Sequence, residues 1–216
     1  MENKWKWNKF YERRFLLRDF LANLSSHAPL LEEIIKENPK RILEVGIGTG
    51  SMSIFLSYLG YEVIGIDNDK EILEKASELN EKMNGRAKFV YCDAFKLSEK
   101  FMKNEFDVVY SQGFFEHFSD KKINTLIKEQ LIIGKTVIFS VPSNFYPKKD
   151  FGNERLLSIN EWKEILKDFK VDFIMYYGTL FLGFKYLLKN LLKYPKPPLL
   201  KPCHLLIKIT RKGDKI

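Results

Sequence analysis

The sequence predicts an α/β fold in which helices cover both faces of a seven-stranded, mostly parallel sheet, giving a three-layer sandwich. Short runs rich in valine and isoleucine alternate with segments of helical periodicity, which is the pattern of a parallel sheet that is buried on both faces. A glycine turn, Gly46-x-Gly48-x-Gly50, directly follows the first of these runs. At 216 residues, the chain suits one domain that can bury a sizeable core.

The individual elements follow from the spacing of apolar residues. Runs rich in β-branched residues predict strands over residues 42–45, 63–66, 88–91, 108–111, 137–141, 171–177 and 205–210. Helical spacing predicts helices between them over residues 51–59, 71–83 and 121–131. Two more helices precede the first strand, and one of them spans 30–36 and ends before Asn38-Pro39. The other is expected to share one face among Trp7, Phe10, Arg14, Leu17 and Leu21.

The composition is that of a soluble globular protein, with 45% hydrophobic and 30% charged residues. The N-terminal segment lacks the continuous apolar core and small-residue cleavage site of a signal peptide, so a cytoplasmic location is expected. The two cysteines, Cys92 and Cys203, lie far apart in the sequence. Two unpaired thiols in a reducing compartment are therefore expected, and neither a disulfide nor a metal site is predicted.

The formal net charge of +8 lies at the C-terminal end. From Lys185 onward nine residues are basic and one, Asp214, is acidic, so the preceding chain is balanced. A basic end could meet a nucleic acid or an anionic membrane surface, but we favour a solvated lysine-rich face. Lys185, Lys189 and Lys193 repeat at four-residue spacing in an apolar segment. Such a helix could lie on a membrane, cap an apolar substrate or pack on its own domain.

The glycine turn indicates a site for a nucleotide-like ligand. A strand, a tight glycine turn and a helix N-terminus allow such a ligand to lie against bare backbone. The dinucleotide fingerprint needs glycine at its first, third and sixth positions, whereas here Gly50 is at the fifth and Ser51 at the sixth. A nicotinamide oxidoreductase is therefore disfavoured.

Acidic residues follow the next two predicted strands. A carboxylate at Asp67 can accept hydrogen bonds from both hydroxyls of a ribose. Asp93 could accept a hydrogen bond from an adenine amino group, with Cys92 or Phe95 against the ring. One aspartate at a strand end is commonly a helix N-cap, but a series at successive strand ends after a glycine turn favours a ligand site.

The segments LEVGIGTG, VIGIDND, CDAF and FDVVYSQGFFEHF stand in this order within about residues 40–145. In order and spacing they resemble the four motifs of the class I S-adenosylmethionine-dependent methyltransferases. The resemblance implies a Rossmann-like sheet with an antiparallel final strand, and S-adenosylmethionine as the cofactor. It also implies one domain with these parts: an N-terminal helical lid (1–39), a donor-binding core (40–177), a helical proline-rich insertion (178–203) and a last strand with a tail (204–216).

The resemblance assigns the predicted cofactor contacts residue by residue. The methionine portion would lie on Glu44 and on the turn residues Gly46, Ile47, Gly48 and Gly50. The ribose would lie on Asp67 with Asn68, and the adenine on Asp93 and Ala94. Ser111 and Gln112 would close the site near the methyl group.

Residues 141–162 resemble the small-molecule branch of this family, in which the loop after the fifth strand walls the acceptor pocket. Candidate wall residues are Phe114, Phe145 and Tyr146. His117 is the candidate general base, because a histidine can titrate near neutral pH. The alternative is a ring that packs against the cofactor or caps the next helix. Weaker candidates for the base are Glu116 and Tyr146, while two further histidines, His27 and His204, are expected to be structural.

The favoured function is methyl transfer to a small, partly apolar acceptor molecule. The first alternative is an RNA or protein methyltransferase that grips its polymer with the basic C-terminal region. The second is a noncatalytic module that binds S-adenosylmethionine and regulates a partner.

Overall fold

This computed structural model describes residues 11, 15–147, 152–179 and 202–211. Helices and strands alternate along these ranges. The α-helices within these ranges, α1 to α6, span Leu17–Ser26, Ala28–Lys36, Ser51–Tyr58, Lys70–Lys82, Asp120–Ile133 and Ile159–Ile165. Strands β1 to β7 span Arg41–Val45, Glu62–Asp67, Lys88–Tyr91, Phe106–Gln112, Gly134–Pro142, Lys170–Thr179 and Pro202–Thr210. Two short 3₁₀ helices lie at Ala94–Glu99 and Phe115–His117.

The strands form one sheet in the order β3-β2-β1-β4-β5-β7-β6. The first five strands pair in parallel, and β7 lies antiparallel between β5 and β6. This arrangement confirms the predicted seven-stranded sheet with an antiparallel final strand. The strand order reverses where β1 pairs with both β2 and β4. Ligands of open α/β sheets bind at the carboxyl ends of the strands at such a switch point.

The two faces of the sheet pack against different helices. On one face, Val109 and Phe139 lie in a core cluster with Trp162 of α6. On the other face, Tyr110 lies in a cluster with Leu30 of α2. Because successive side chains of a strand point to opposite faces, Val109 and Tyr110 of β4 contribute to opposite layers. The three-layer sandwich is therefore confirmed.

The buried face of α1 is not the one that carries Leu17 and Leu21. Leu17 and Leu21 are 61% and 56% exposed, whereas Phe20 is 4% exposed. Phe20 packs in a cluster with Ile54 of α3 and Leu79 of α4. Apolar residues lie on more than one side of this helix, and packing against α3 selected the side that carries Phe20.

Several predictions concern residues outside the described ranges. The N-terminal members of the predicted α1 face, Trp7, Phe10 and Arg14, lie there. Residues 180–201, which hold most of the predicted insertion and its spaced lysines, also lie there. The division of the domain into lid, core, insertion and tail stays a prediction.

Both cysteines are buried. Cys92 directly follows β3 and Cys203 lies in β7, and no disulfide joins them. Of the helices in the described ranges, none is long and apolar enough to cross a membrane.

Candidate active site

A cleft of about 1050 Å³ opens at the carboxyl edge of the sheet. Its lining includes Gly46 after β1, Asp67 at the end of β2, Cys92 after β3 and Gly113 after β4. The cleft therefore lies at the switch point of the strand order, and its volume is of the size that small-molecule and cofactor sites occupy.

Two glycines of the turn form the floor of the cleft. Gly46 and Gly48 have φ angles of 74° and 52°, in the left-handed region that favours glycine. A β-carbon on Gly46 would lie 2.8 Å from the ring of Phe114, and one on Gly48 would lie 2.8 Å from the ring of Tyr11. Both positions therefore require glycine, and both border the cleft next to an aromatic ring.

The other predicted residues of the turn serve its packing. Gly50 precedes α3 with a φ of 70°, and a β-carbon there would lie 2.6 Å from the ring of Phe89. Ile47 is buried in a cluster with Ile72 at the start of α4. Neither Gly50 nor Ile47 borders the cleft.

Glu44 lies behind the turn, on the face of β1 that α3 covers. Its carboxylate accepts a hydrogen bond of 2.5 Å from Ser53 of α3, whose hydroxyl lies 3.4 Å from that of Tyr110. Burial raises the pKa of Glu44 to about 7. In this arrangement Glu44 joins β1 to α3, and its side chain does not border the cleft.

Asp67 borders the cleft at the end of β2, beside Asn68. Its Oδ1 accepts a hydrogen bond of 3.0 Å from the backbone N–H of Asp69. Burial raises the pKa of Asp67 to about 6, and hydrogen bonds from backbone N–H groups, including that of Gly48, oppose this rise. Near neutral pH the carboxylate is therefore charged and can accept hydrogen bonds from a ligand.

Asp93 has a structural contact and also borders the cleft. Its Oδ1 accepts a hydrogen bond of 2.9 Å from the backbone N–H of Phe95, so it caps the 3₁₀ helix that begins at Ala94. Asp93, Ala94 and Phe95 all border the cleft. The side chain of Asp93 therefore acts as a helix cap, and this cap holds it at the edge of the cleft, where the adenine contact was predicted.

Ser111 and Gln112 lie away from the lining of the cleft. Ser111 is fully buried, and its hydroxyl has no hydrogen-bond partner. Gln112 exchanges two hydrogen bonds, of 3.1 and 2.9 Å, with Asn23 of α1. Asn23 also donates to Ser51 at 2.8 Å. Gly113, which the sequence analysis did not assign, borders the cleft instead. A glycine at a strand end is the signal that could have found it, because it allows a close backbone approach.

His117 borders the cleft beside a buried acid. Its Nδ1 lies 3.0 Å from Oδ1 of Asn153, and its Nε2 lies 3.8 Å from Oε1 of Glu116. Burial lowers the pKa of His117 and raises that of Glu116 to about 8. Near neutral pH the imidazole is therefore uncharged and can accept a proton. Among the described residues, no group of three or more His, Cys, Asp or Glu is arranged to hold a metal ion.

Of the three candidate wall residues of the acceptor pocket, only one borders the cleft. Phe114 borders the cleft. Phe145 and Tyr146 do not border it. Their rings contact Tyr176 and His204, with centroids 5.4 Å apart in each pair. Phe145 and Tyr146 therefore lie on the side of the sheet that β6 and β7 form.

A buried polar cluster, which we call the histidine cluster, joins the α1–α2 junction to the sheet and comprises His27, Ser140, Tyr177 and His204. Nδ1 of His27 and the hydroxyl of Ser140 each lie 2.5 Å from the hydroxyl of Tyr177. The ring of His204 stacks on Tyr177 and meets His27 edge-on, with centroids 5.3 and 4.8 Å apart. Burial lowers the pKa of His27 to about 3 and that of His204 to about 4. Both imidazoles are therefore uncharged, and their contacts fit the structural role expected for them.

Comparison with known proteins finds similarity to methyltransferases. Residues 42–132 match the family described as a methyltransferase domain. The matched residues run from β1 into α5 and cover less than half of the chain. A protein named as a ribosomal RNA large subunit methyltransferase in Methanocaldococcus jannaschii is 38% identical to this chain over 84 residues. That match covers 37% of this chain and 22% of the relative, so the chain spans about a fifth of that relative's length.

Two further proteins match a larger share of this chain. Demethylmenaquinone methyltransferase of Thermus thermophilus is 29% identical over 140 residues, which cover 63% of this chain and 62% of that protein. Magnesium protoporphyrin IX methyltransferase of Synechocystis, solved with bound S-adenosylhomocysteine, has the same fold with a TM-score of 0.61 at 14% identity. The superposition covers 87% of this chain and 82% of that one.

The cofactor of class I methyltransferases is S-adenosylmethionine, and the cleft of this chain fits it. The charged side chains that border the cleft are four carboxylates and two lysines: Asp67, Asp69, Glu71, Asp93, Lys70 and Lys122. This balance suits a ligand that carries a cationic sulfonium. Gly46 and Gly48 border the cleft without a side chain of their own.

Proposed function

We propose that this chain transfers a methyl group from S-adenosylmethionine to a small, partly apolar acceptor. The observation that supports this proposal is the lining of the cleft beyond Gly113, where Phe114, His117 and Phe118 stand together. Aromatic walls with one polar group suit a small acceptor that is largely apolar. A polyanion such as RNA would meet a cleft with twice as many carboxylates as lysines.

In the proposed reaction the chain binds and aligns the two reactants. S-adenosylmethionine supplies a methyl group that is activated by its sulfonium. Asp67 would hold the ribose and Asp93 the adenine, while Gly46 and Gly48 let the methionine portion lie against the backbone. Most of the rate enhancement would come from alignment of acceptor, methyl carbon and sulfur.

His117 would accept a proton from an acceptor that begins protonated. The oxygen of Asn153 beside Nδ1 favours the tautomer with the proton on that nitrogen, which leaves the lone pair on Nε2. Because burial lowers its pKa, the imidazole is uncharged at neutral pH and ready to accept a proton.

The acceptor class can be tested by the salt dependence of transfer. We expect purified protein to form S-adenosylhomocysteine with small phenolic or quinol acceptors at nearly the same rate in about 50 and 200 mM salt. A polymer held by six to ten phosphate contacts would lose roughly 10³- to 10⁵-fold in affinity over that range. Transfer only to RNA, with that steep loss, would contradict the small-molecule proposal. Retention of S-adenosylmethionine without turnover on either kind of acceptor would support the noncatalytic module.

The role of His117 can be tested by a glutamine substitution. We expect His117→Gln to lower kcat by about 10²- to 10⁴-fold near neutral pH, because proton transfer to a positioned base contributes that much. In the unsubstituted protein kcat should fall as the pH drops through the pKa of His117, which lies below 6.5, and the variant should lose this dependence. Calorimetry should show unchanged affinity for S-adenosylmethionine. A full rate across neutral pH would remove His117 as the base.

A further inference from the structure

Two aromatic rings lie directly on the part of the glycine turn that borders the cleft. Cδ2 of Phe114 lies 2.8 Å from the point that a β-carbon on Gly46 would occupy. Cζ and Oη of Tyr11 both lie 2.8 Å from the corresponding point on Gly48. Both rings border the cleft. The turn is therefore lined by one ring from the loop after β4 and one from the segment that precedes α1.

Packing against other side chains holds each ring in place. Phe114 contacts Phe115 and Phe118, with ring centroids 5.5 and 5.0 Å apart. Tyr11 packs on the cluster that contains Ile47 and Ile72. Because these contacts belong to the folded chain, the rings are positioned before any ligand binds.

Among the carboxylates that border the cleft, Asp67 reaches this part of the turn, because it accepts a hydrogen bond from the backbone N–H of Gly48. Asp67 and Asp69 are at the β2–α4 connection with Glu71, and Asp93 follows β3. The acid nearest to the turn in sequence, Glu44, is buried against Ser53 and does not border the cleft. A cation beside Gly46 and Gly48 would therefore face the two aromatic rings together with the carboxylate of Asp67. Aromatic faces attract cations through the quadrupole of the ring.

We propose that Tyr11 and Phe114 are positioning residues that recognise the positive charge of the donor sulfonium. This inference rests on the proposed function, since it requires the methionine portion of S-adenosylmethionine to lie along the turn. After transfer the sulfur is a neutral thioether, so the rings lose a charge to attract. The pair therefore favours the donor over its product, S-adenosylhomocysteine, which helps the product to leave.

The experiment compares donor and product affinities by calorimetry on the full chain. In both Phe114→Leu and Tyr11→Leu, we expect the affinity for S-adenosylmethionine to fall about 2- to 30-fold more than that for S-adenosylhomocysteine. Tyr11→Phe keeps the ring and should keep the ratio of the two affinities. The matched control is Phe95→Leu, which alters the cleft at the Asp93 side and should weaken both ligands equally.

The ratio of the two affinities is independent of the amount of folded protein, because both ligands bind the same folded population. Equal losses for donor and product in Phe114→Leu and Tyr11→Leu would overturn the inference and leave only a packing role for the rings. Binding of neither ligand by the unsubstituted protein would overturn the proposed function and, with it, this inference. Binding of both ligands with an unchanged ratio in the two leucine variants would leave the proposed function intact.

Discussion

Replacement of Asp67 by alanine is expected to weaken the binding of S-adenosylmethionine and S-adenosylhomocysteine alike, by about 1–3 kcal/mol, or roughly 5- to 150-fold. The carboxylate stands at the cleft edge of β2, and the N–H of Asp69 holds one of its oxygens. The variant would leave the ribose hydroxyls of either ligand without their acceptor. Calorimetry on both ligands measures the loss, and an unchanged affinity would contradict the ribose assignment.

The neighbouring acid provides the matched control for Asp67. Asp69 caps α4 by accepting hydrogen bonds from the N–H groups of Glu71 and Ile72. Asp69→Ala should therefore cost about 1 kcal/mol of stability through the lost cap, with little effect on donor affinity. The pH dependence gives a second check. Because burial raises the pKa of Asp67 to about 6, donor affinity should fall as the pH drops below about 6. Asp67→Asn should remove that dependence.

The histidine cluster is expected to make stability depend on pH through His27. The unfolded chain protonates this residue near pH 6.5, whereas the folded protein resists protonation until about pH 3 because the ring is buried. Between these values the unfolded state binds more protons, so the contribution of His27 to the free energy of unfolding falls as the pH falls. The slope for one histidine is about 1.4 kcal/mol per pH unit.

His27→Gln isolates this contribution. Near pH 7 we expect the variant to be about 1–3 kcal/mol less stable, because the buried hydroxyl of Tyr177 loses one of its two partners and keeps only Ser140. As the pH falls from 6.5 toward 4.5, the unsubstituted protein loses its advantage and the difference should shrink or reverse. The buried acids Glu44, Asp67 and Glu116 have raised pKa values and act in the opposite direction, but both proteins contain them. Urea unfolding at several pH values measures the difference. A constant difference would contradict the prediction.

Local patterns were sufficient to predict the strands and the main helices. The predicted strand 42–45 became Arg41–Val45, and the predicted helix 121–131 became Asp120–Ile133. Continuous β-branched runs and helical spacing are local signals, and glycine or proline marks their ends. The spacing placed Leu17 and Leu21 on one face of α1, and both are exposed, while Phe20 on another side is buried. Local spacing does not decide which side of a helix the rest of the fold will cover.

Some of the residues that border the cleft could also be predicted. Parallel strands bring their carboxyl ends to one edge, which is why Gly46, Asp67 and Asp93 border one cleft. Ser111 and Gln112 lie off that cleft, because the alternation of side chains along β4 directs them to the two faces of the sheet. The chain reaches the cleft one residue later, at Gly113. Such a shift depends on where pairing with β5 ends, and a motif does not specify that point.

The sequence by itself determined the order of strands and helices and the likeness to methyltransferases, because these depend on periodicity, glycine positions and motif spacing within short segments. Tertiary structure alone decided the contacts between distant segments. His27 meets Tyr177 across 150 residues of chain, and Tyr11 lies on Gly48 from a different element. The physical reason is that such contacts depend on how whole layers pack, which no short segment of the sequence specifies.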